Sequence, residues 1–259
     1  MEILLTNDDG FDAVGIRAMY DVLSEIADVT IVAPSVDQSA VGRQLSGEVT
    51  LRENDSGYAV EGTPADCVIA AIGALDLDPD LVVAGANRGA NLGAYVLGRS
   101  GTVSAAVEAA FFDLPAIAAS VYFPVSDVQF KDVEAEIDHF REATRATRYL
   151  VEHARNVSVF NDADYLNINA PVPPSEGYAP MEITRPSHVY EMDADRSGET
   201  VRINDRIWEM MADGEIPDPV GSDRRAVLEG RVSVSPLTAP HTALKHEALD
   251  GLAEAYGPD

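Results

Sequence analysis

Two adjacent aspartates near the start of the chain are the first residues that could carry out chemistry. Asp8 and Asp9 follow the apolar run 1–5, and Asn7 and Gly10 flank them. Two neighbouring carboxylates repel each other, and a hard divalent cation compensates them well because it prefers oxygen ligands. The same tetrapeptide is also good turn chemistry, since asparagine, aspartate and glycine all favour turns. By itself it leaves a metal site and a simple turn equally open.

A second polar stretch, residues 85–93, is rich in glycine and asparagine. It follows the apolar run 80–84, and residues 99–102 then open a helix that the pattern predicts over 103–111. Exposed backbone N–H groups and the positive end of a helix dipole both favour bound phosphate. Many glycine-rich loops are only tight connections. The position directly after a predicted sheet strand favours a ligand site here.

The surrounding pattern predicts the elements that must position these residues. An apolar run without alternation, such as 1–5, is typical of a strand buried on both faces of a parallel sheet. Helical spacing over 16–26 and a second apolar run over 29–33 complete a β-α-β unit. Ligands bind at the carboxyl ends of the strands in such sheets. The sequence therefore predicts an α/β fold with a mostly parallel, Rossmann-like sheet and helices on both faces.

The rest of the chain predicts further elements of the same fold. We expect a hairpin over 51–61, a helix from the N-cap Thr63 to about 75, a long helix over 133–154 and a short capped helix from 222. Strands are predicted over 115–121, 166–171 and 232–237, hairpins between 181 and 208, and a last helix over 243–256.

The charge of the chain excludes some partners. Its 259 residues include 44 acidic and 18 basic side chains, a formal net charge of −26. Such a protein has no electrostatic means of holding nucleic acid or an anionic membrane. The acidic residues are spread along the chain, so we hypothesise a solvated surface adapted to the high-salt cytoplasm of a halophile. No apolar stretch approaches membrane-spanning length and a core strand opens the chain, so we expect a cytoplasmic protein without a signal peptide.

Cysteine and histidine do not suggest a soft metal site. The single cysteine, Cys67, lies in an apolar run and is interpreted as a buried structural thiol. The five histidines have no spacing suited to zinc and are interpreted as surface or capping residues: His139, His153, His188, His241 and His246.

Several ordered motifs resemble the survival protein SurE family of nucleotidases. The resemblance covers most of the chain and rests on Asn-Asp-Asp-Gly at 7–10, Ser39, Gly-Thr-Pro-Ala-Asp-Cys at 62–67, Gly-Ala-Asn-Arg-Gly-Ala-Asn-Leu-Gly at 85–93, Ser-Gly-Thr-Val at 100–103, Leu-Asn-Ile-Asn-Ala-Pro at 166–171 and Val-Ser-Val-Ser-Pro-Leu at 232–237.

The resemblance implies a fold and an activity. It implies a Rossmann-like metal- and phosphate-binding core, here 1–160, and a β-hairpin extension with a C-terminal segment exchanged between subunits, here 161–259, as parts of one domain. A homodimer or homotetramer would follow. The implied reaction is divalent-metal-dependent hydrolysis of nucleoside 5′- and in some members 3′-monophosphates, and in some members of short polyphosphate.

The resemblance also implies site residues, with one Mg²⁺ or Mn²⁺ ion per subunit. The metal ligands fall on Asp8, Asp9, Ser39 and Asn87, and the substrate-binding residues on Asn7, Asn91, Ser100, Gly101 and Thr102. Two positions depart from the usual family pattern, because Gln38 is commonly basic and Arg99 commonly aromatic in relatives. Both departures bear on substrate preference.

Two mechanisms stay open from the residues alone. A water molecule activated by the metal could attack phosphorus, or a carboxylate of Asp8 or Asp9 could attack first. We favour Asp8 as the main catalytic carboxylate because it lies nearest the strand end. Three arginines could guide an anionic substrate or could simply balance surface carboxylates: Arg43, Arg88 and Arg99.

Two other classes of protein compete with a nucleotidase. A non-catalytic nucleotide- or phosphate-binding module could keep this fold, but phosphate binding alone would be better served by fewer negative charges than two aspartates. A dinucleotide-dependent oxidoreductase would carry Gly-x-Gly-x-x-Gly after the first strand, and this chain lacks it.

Overall fold

The computed structural model describes residues 1–125, 133–153 and 158–239. Within these residues the strands are β1 Glu2–Thr6, β2 Asp28–Pro34, β3 Leu51–Asn54, β4 Gly57–Val60, β5 Leu81–Arg88, β6 Ala116–Tyr122, β7 Tyr165–Pro171, β8 Met181–Ile183, β9 Met192–Ser197, β10 Thr200–Asp205 and β11 Val232–Leu237. The helices are α1 Val14–Leu23, α2 Pro64–Gly73, α3 Ala94–Leu97, α4 Gly101–Phe111, α5 Arg141–His153, α6 Arg206–Ala212 and α7 Asp223–Leu228, with 3₁₀ turns at Ile137–Phe140 and Val159–Asn161.

Nine of these strands form one twisted sheet in the order β3-β4-β2-β1-β5-β6-β7-β11-β8. The run from β4 through β7 is parallel throughout. β3 pairs antiparallel with β4, β11 pairs antiparallel with β7, and β8 pairs parallel with β11. β9 and β10 form a separate antiparallel ribbon. The predicted mostly parallel α/β fold is confirmed.

Each face of the sheet carries its own apolar layer, which explains why β1 lacks alternation. Ile3 and Leu5 pack on one face with Ile16 of α1, and Leu4 packs on the other with Val68 of α2 and residues of α4. Each fully buried aliphatic side chain stabilises the fold by about 2 kcal/mol. Helices therefore cover both faces, and α1 and α4 bring their amino ends to the carboxyl ends of the strands.

The cap of α2 is as the sequence predicts. Thr63 Oγ1 accepts a hydrogen bond from Asp66 N, and Asp66 Oδ2 accepts one from Thr63 N. This reciprocal pair is a capping box, which satisfies two N–H groups that a helix start otherwise leaves unpaired. The hairpin of β3 and β4, the Ser222 cap of α7 and strand β11 are likewise confirmed.

Other predicted boundaries are wrong. Residues 133–136 precede the long helix instead of opening it, because Glu136 has extended backbone and its N–H donates to His139 Nδ1, so a 3₁₀ turn starts there. A short helix, α6, includes Trp208 at the end of the stretch expected to form hairpins. The helix predicted over 243–256 lies outside the described residues.

The glycine-rich stretch is also partly misassigned, because β5 continues through it to Arg88. Its register with β6 shifts between Ala84 and Asn87, and the Gly85–Ala86 peptide bond is cis. Gly85 has φ +129° and a Cβ there would lie 2.2 Å from the Ala119 carbonyl oxygen, so only glycine fits. The irregularity re-aims the last residues of the strand toward the ligand-binding edge.

No helix in the described part of the chain is long and apolar enough to cross a membrane.

Candidate active site

The loop after β1 is a turn that presents the two aspartates. Asn7 Nδ2 donates to the Gly10 carbonyl at 2.9 Å, and Gly10 N donates to Asn7 Oδ1 at 3.2 Å. Asn7 is fully buried, so its amide holds the loop from inside. The two interpretations of this tetrapeptide are therefore compatible, because the turn fixes the backbone and leaves the side chains of Asp8 and Asp9 to contact α4 and β5. The substrate-binding role of Asn7 stays a prediction.

Asp8 is held by the start of α4. Thr102 Oγ1 donates to Asp8 Oδ1 at 2.5 Å, and Asp8 is only 3% exposed. A Cβ on Gly101 would lie 2.7 Å from Asp8 Cβ, so glycine allows the helix to come this close. Burial raises the pKa of Asp8 to about 6, although the hydrogen bond from Thr102 works against that rise.

Asp9 is tied to the end of β5. Arg88 N donates to Asp9 Oδ2 at 2.7 Å, across 79 positions of sequence. Burial, followed by the charge of Asp8, raises the pKa of Asp9 to about 7. The two carboxylates thus lie in one region where their negative charges are poorly compensated. A cation bound there would relieve both the desolvation and the repulsion.

Ser39 reaches the same region through the loop after β2. Gln38 N donates to the Asp8 carbonyl at 2.7 Å, which anchors the loop beside β1. Ser39 Oγ donates to Asp37 Oδ1 at 2.6 Å, and Ser39, Asp37 and Asp9 line an open cleft of about 370 Å³. The sequence reasoning missed Asp37, whose carboxylate also raises the pKa of both site aspartates.

Asn87 completes the predicted metal-binding set at the end of β5. Its Nδ2 donates to the Gly89 carbonyl at 2.6 Å, so the amide oxygen is the atom that could bind a cation. Within the described residues, no three His, Cys, Asp or Glu side chains come together as a metal site. A cation at this edge would therefore need the hydroxyl of Ser39 and the amide of Asn87 besides the two carboxylates. The four oxygens suit Mg²⁺ or Mn²⁺ in kind.

Three of the predicted phosphate residues, Ser100, Gly101 and Thr102, lie at the start of α4, and Asn91 lies against β6 and β7. The polar side chains among them already have partners. Ser100 Oγ accepts from Val103 N as the N-cap, and Thr102 binds Asp8. Asn91 N donates to Asn169 Oδ1 at 2.7 Å, and Asn91 Nδ2 donates to Ser120 Oγ at 2.9 Å. Phosphate binding here would therefore rely mainly on backbone N–H groups and the helix dipole.

The sequence reasoning also missed Asn167 and Asn169, which hold Asn91 from β7. The available signal was two asparagines at alternate positions of an otherwise apolar strand, which places two amides on one buried face.

The three arginines have different surroundings. Arg43 lies 3.6 Å from Glu108, which favours its interpretation as a balance for a surface carboxylate. Arg88 Nη1 donates to the Val133 carbonyl and lines the cleft with Asp9. The Arg99 guanidinium stands 5.2 Å from the ring centre of Tyr95. Guidance of substrate by Arg88 and Arg99 stays a prediction.

Cys67 is buried, as expected, and burial raises the pKa of its thiol. His139 accepts a capping hydrogen bond from Glu136, and His153 Nδ1 lies 2.7 Å from the Tyr149 carbonyl. These contacts agree with structural roles for both histidines. His241 and His246 lie outside the described residues.

Comparisons with known proteins agree on one family. The profile of the family described as Survival protein SurE matches residues 3–193. A protein named 5′-nucleotidase SurE from Natronomonas pharaonis is 71% identical, covering 99% of this chain and 100% of that protein. Another protein of that name, from Haloarcula marismortui, is 66% identical, covering 99% of this chain and 96% of that protein. The crystal structure of SurE protein from Aquifex aeolicus is 29% identical, covers 99% of this chain and 100% of that chain, and has a TM-score of 0.79.

Proposed function

The chain belongs to the survival protein SurE family, and from that premise we propose that it is a 5′-nucleotidase, an enzyme that hydrolyses nucleoside 5′-monophosphates to nucleoside and phosphate. Relatives 71% and 66% identical over nearly their whole length carry the name 5′-nucleotidase SurE. The observation that carries the proposal is the Asp8–Asp9 pair at the end of β1, bonded through Thr102 to the start of α4. The two carboxylates and the N-terminal end of α4 lie side by side there, which supports phosphate binding next to a cation.

One Mg²⁺ or Mn²⁺ ion per subunit is part of the proposal. Asp8, Asp9, Ser39 and Asn87 would hold it, and they fit because all four side chains offer oxygen and the two carboxylates are poorly compensated. The ion, when bound, supplies Lewis-acid stabilisation of the charge that develops on the phosphoryl oxygens.

The residues of the chain would divide the remaining work. The start of α4 would bind and orient the phosphate through the Gly101 N–H and the partial positive charge of the helix end. The next two N–H groups already have partners, since the Thr102 backbone bonds Asp8 and Val103 N donates to Ser100 Oγ. Thr102 holds one oxygen of Asp8, which orients the other oxygen of that carboxylate. Asp8 then acts either as the nucleophile at phosphorus or as the group that orients and deprotonates the attacking water. The burial of Asp8 limits competing solvent contact.

Wider aspects of the proposal concern substrates and assembly. Nucleoside 3′-monophosphates and short polyphosphate would be further substrates, since they offer the same terminal phosphoryl group. The chain would work as a homodimer or homotetramer, with residues 161–259 contributing the contacts. The β9–β10 ribbon exposes Val201 (54%) and Ile203 (71%), which supports a partner surface in that region.

The activity is tested by phosphate release from purified protein in molar KCl. We expect hydrolysis of AMP with Mg²⁺ or Mn²⁺, loss of activity with excess EDTA, and recovery when the metal is returned. Asp12→Asn is a matched control for Asp8→Asn, because Asp12 is an exposed aspartate only four positions away. The control should keep normal turnover. Binding of AMP with no turnover under any metal would instead identify a non-catalytic module.

A further inference from the structure

A row of buried polar side chains crosses the sheet below the glycine-rich loop. Asn87 of β5, Ser120 of β6, Asn169 of β7 and Ser233 of β11 lie opposite one another in register. Residues opposite one another in neighbouring strands share a face, so the four side chains form a continuous row. Asn87 is 8% exposed and the other three are fully buried. Polar groups buried in an apolar sheet are unfavourable unless they are hydrogen-bonded, so this row calls for a physical reason.

Two members of the row, Ser120 and Asn169, bond to Asn91. Asn169 Oδ1 accepts from Asn91 N at 2.7 Å, and Asn169 Nδ2 donates to the Asn91 carbonyl at 3.1 Å. Asn167, two residues earlier on β7, donates to the same carbonyl at 2.9 Å. Ser120 Oγ accepts from the Asn91 side chain. Both backbone polar groups of Asn91 and its amide nitrogen are therefore bound by the sheet.

Ser233, the last member of the row, belongs to a separate network with Thr184 and Ser235. Thr184 Oγ1 lies 2.7 Å from Ser233 Oγ and 2.8 Å from Ser235 Oγ, and all three residues are buried. These hydroxyls link β8 to β11 without reaching the glycine-rich loop. The sheet thus contains two comparable buried networks, and only the one around Asn169 contacts a predicted substrate-binding residue.

Asn167 shows that its network does more than stabilise the sheet. Its side-chain oxygen has no hydrogen-bond partner among the described residues, so its amide nitrogen and the Asn91 carbonyl account for its bonding. An apolar side chain of similar size would suit the sheet better at this position. An asparagine at position 167 is explained if its function is to hold the Asn91 carbonyl in place.

We propose that Asn167 and Asn169 are positioning residues for phosphate binding, which hold Asn91 so that the glycine-rich loop keeps one conformation. This inference rests on the proposed function, since it takes Asn91 as a residue that contacts phosphate, through the second hydrogen of its side-chain amide. Gly89 and Gly93 flank Asn91 with φ of +127° and +87°, backbone conformations that glycine adopts easily and that do not restrain the loop. Fixed hydrogen-bond donors need no rearrangement as charge develops, which is the advantage of such a clamp.

The test uses substitutions of nearly constant volume in each of the two buried networks. Asn169→Leu and Asn167→Leu remove bonds to Asn91, and Thr184→Val removes the hydroxyl of the matched network. For each variant of the full-length protein, kcat and KM for AMP, inhibition by inorganic phosphate, melting temperature and hydrogen exchange of the 91–93 amides are measured in molar KCl.

We expect Asn169→Leu to lower kcat/KM about 100-fold, because displacement of a binding group by about 1 Å has effects of that size. Inhibition by inorganic phosphate should weaken about tenfold and the 91–93 amides should exchange faster, with smaller changes for Asn167→Leu. Asn169→Leu and Thr184→Val should both lower the melting temperature, because each leaves buried polar groups without a partner. In Thr184→Val, phosphate inhibition and hydrogen exchange of the 91–93 amides should stay normal.

Normal phosphate affinity and loop exchange in both asparagine variants would overturn the proposal, as would an equal loss of phosphate affinity in Thr184→Val. If Asn169→Leu does not fold, Asn167→Leu decides alone, because it leaves Asn169 to bind the Asn91 carbonyl. If the wild type hydrolyses no nucleotide, the proposed function fails separately. Phosphate binding, measured by its effect on melting temperature, and loop exchange then still decide the role of the two asparagines.

Discussion

Two acidic sites at the ends of neighbouring elements show how the same side chain serves different purposes. Asp66, in the first turn of α2, accepts hydrogen bonds from Thr63 N, Ser46 N and Ser46 Oγ. Burial alone would raise its pKa, but these bonds lower the pKa of Asp66 below its usual value. For Asp8 and Asp9, burial outweighs the hydrogen bonds that they accept and raises the pKa of both, and the charge of Asp8 raises the pKa of Asp9 further.

The difference lies in how completely each charge is compensated by the chain itself. The hydrogen bonds of Asp66 stabilise its ionised form without a ligand, and they fix the loop before α2. The negative charge of the paired aspartates is not fully compensated by the chain, so a bound ligand, above all a cation, would stabilise their ionised forms. A carboxylate that the fold leaves poorly compensated is therefore the better marker of chemistry.

The largest expected effect separates the two sites by activity and stability. Asp8→Asn should lower kcat by on the order of a thousandfold or more, because it removes a charge placed for the transition state. Its stability should not fall, since the substitution relieves repulsion. Asp66→Asn should keep kcat and lose about 1 kcal/mol of unfolding free energy, as caps do. Phosphate release measures kcat, and urea unfolding measures the free energy of unfolding. A fully active Asp8→Asn enzyme would contradict the different roles of Asp8 and Asp66.

A smaller effect tests the closeness of α4 to Asp8. Gly101→Ala should lower kcat/KM about 100-fold, because its Cβ would meet Asp8 at 2.7 Å and shift the carboxylate by a fraction of an ångström. Gly73→Ala at the end of α2 meets nothing within 4 Å and is the matched control. It should leave kcat/KM unchanged and raise the melting temperature slightly. Equal kcat/KM in the two variants would contradict the geometry.

The third effect is on stability instead of activity and concerns its dependence on pH. With EDTA present, the raised pKa of Asp8 favours its protonated form in the folded state, so unfolding free energy should fall as pH rises from about 4 to 7. A rise of about 2 pKa units in one group corresponds to on the order of 3 kcal/mol. Asp66 has the opposite sign, because a lowered pKa gives stability that is lost as pH falls below about 4.

Urea unfolding at a series of pH values in molar KCl measures this dependence. The double variant Asp8→Asn, Asp9→Asn should lack the decline between pH 4 and 7 and should not respond to Mg²⁺. Added Mg²⁺ should restore wild-type stability at pH 7, since a ligand that binds the folded state stabilises it. A wild-type protein with no decline in EDTA would mean that the chain compensates both charges by itself.

Local patterns in the sequence were enough for much of the fold and for the centre of the site. The apolar run at β1, the helical spacing of α1 and the capping box of α2 each depend on neighbours within a few positions, so they could be read directly. Asp8 and Asp9 drew attention as adjacent carboxylates at a strand end, but the metal role predicted for them came from the family resemblance. The β5 irregularity was not recognisable, since a bulge depends on the partner strand as much as on its own residues.

The sequence by itself determined the α/β fold, the capping box of α2 and the turn that carries the acidic pair, because periodicity, caps and turns are short-range properties. Only the tertiary structure decided which groups those residues contact. Thr102 bonds to Asp8 across 94 positions, and Asn169 bonds to Asn91 across 78. The physical reason is that such bonds form only after strands and helices have packed side by side. That packing depends on apolar residues from the whole chain and not on the sequence near either partner.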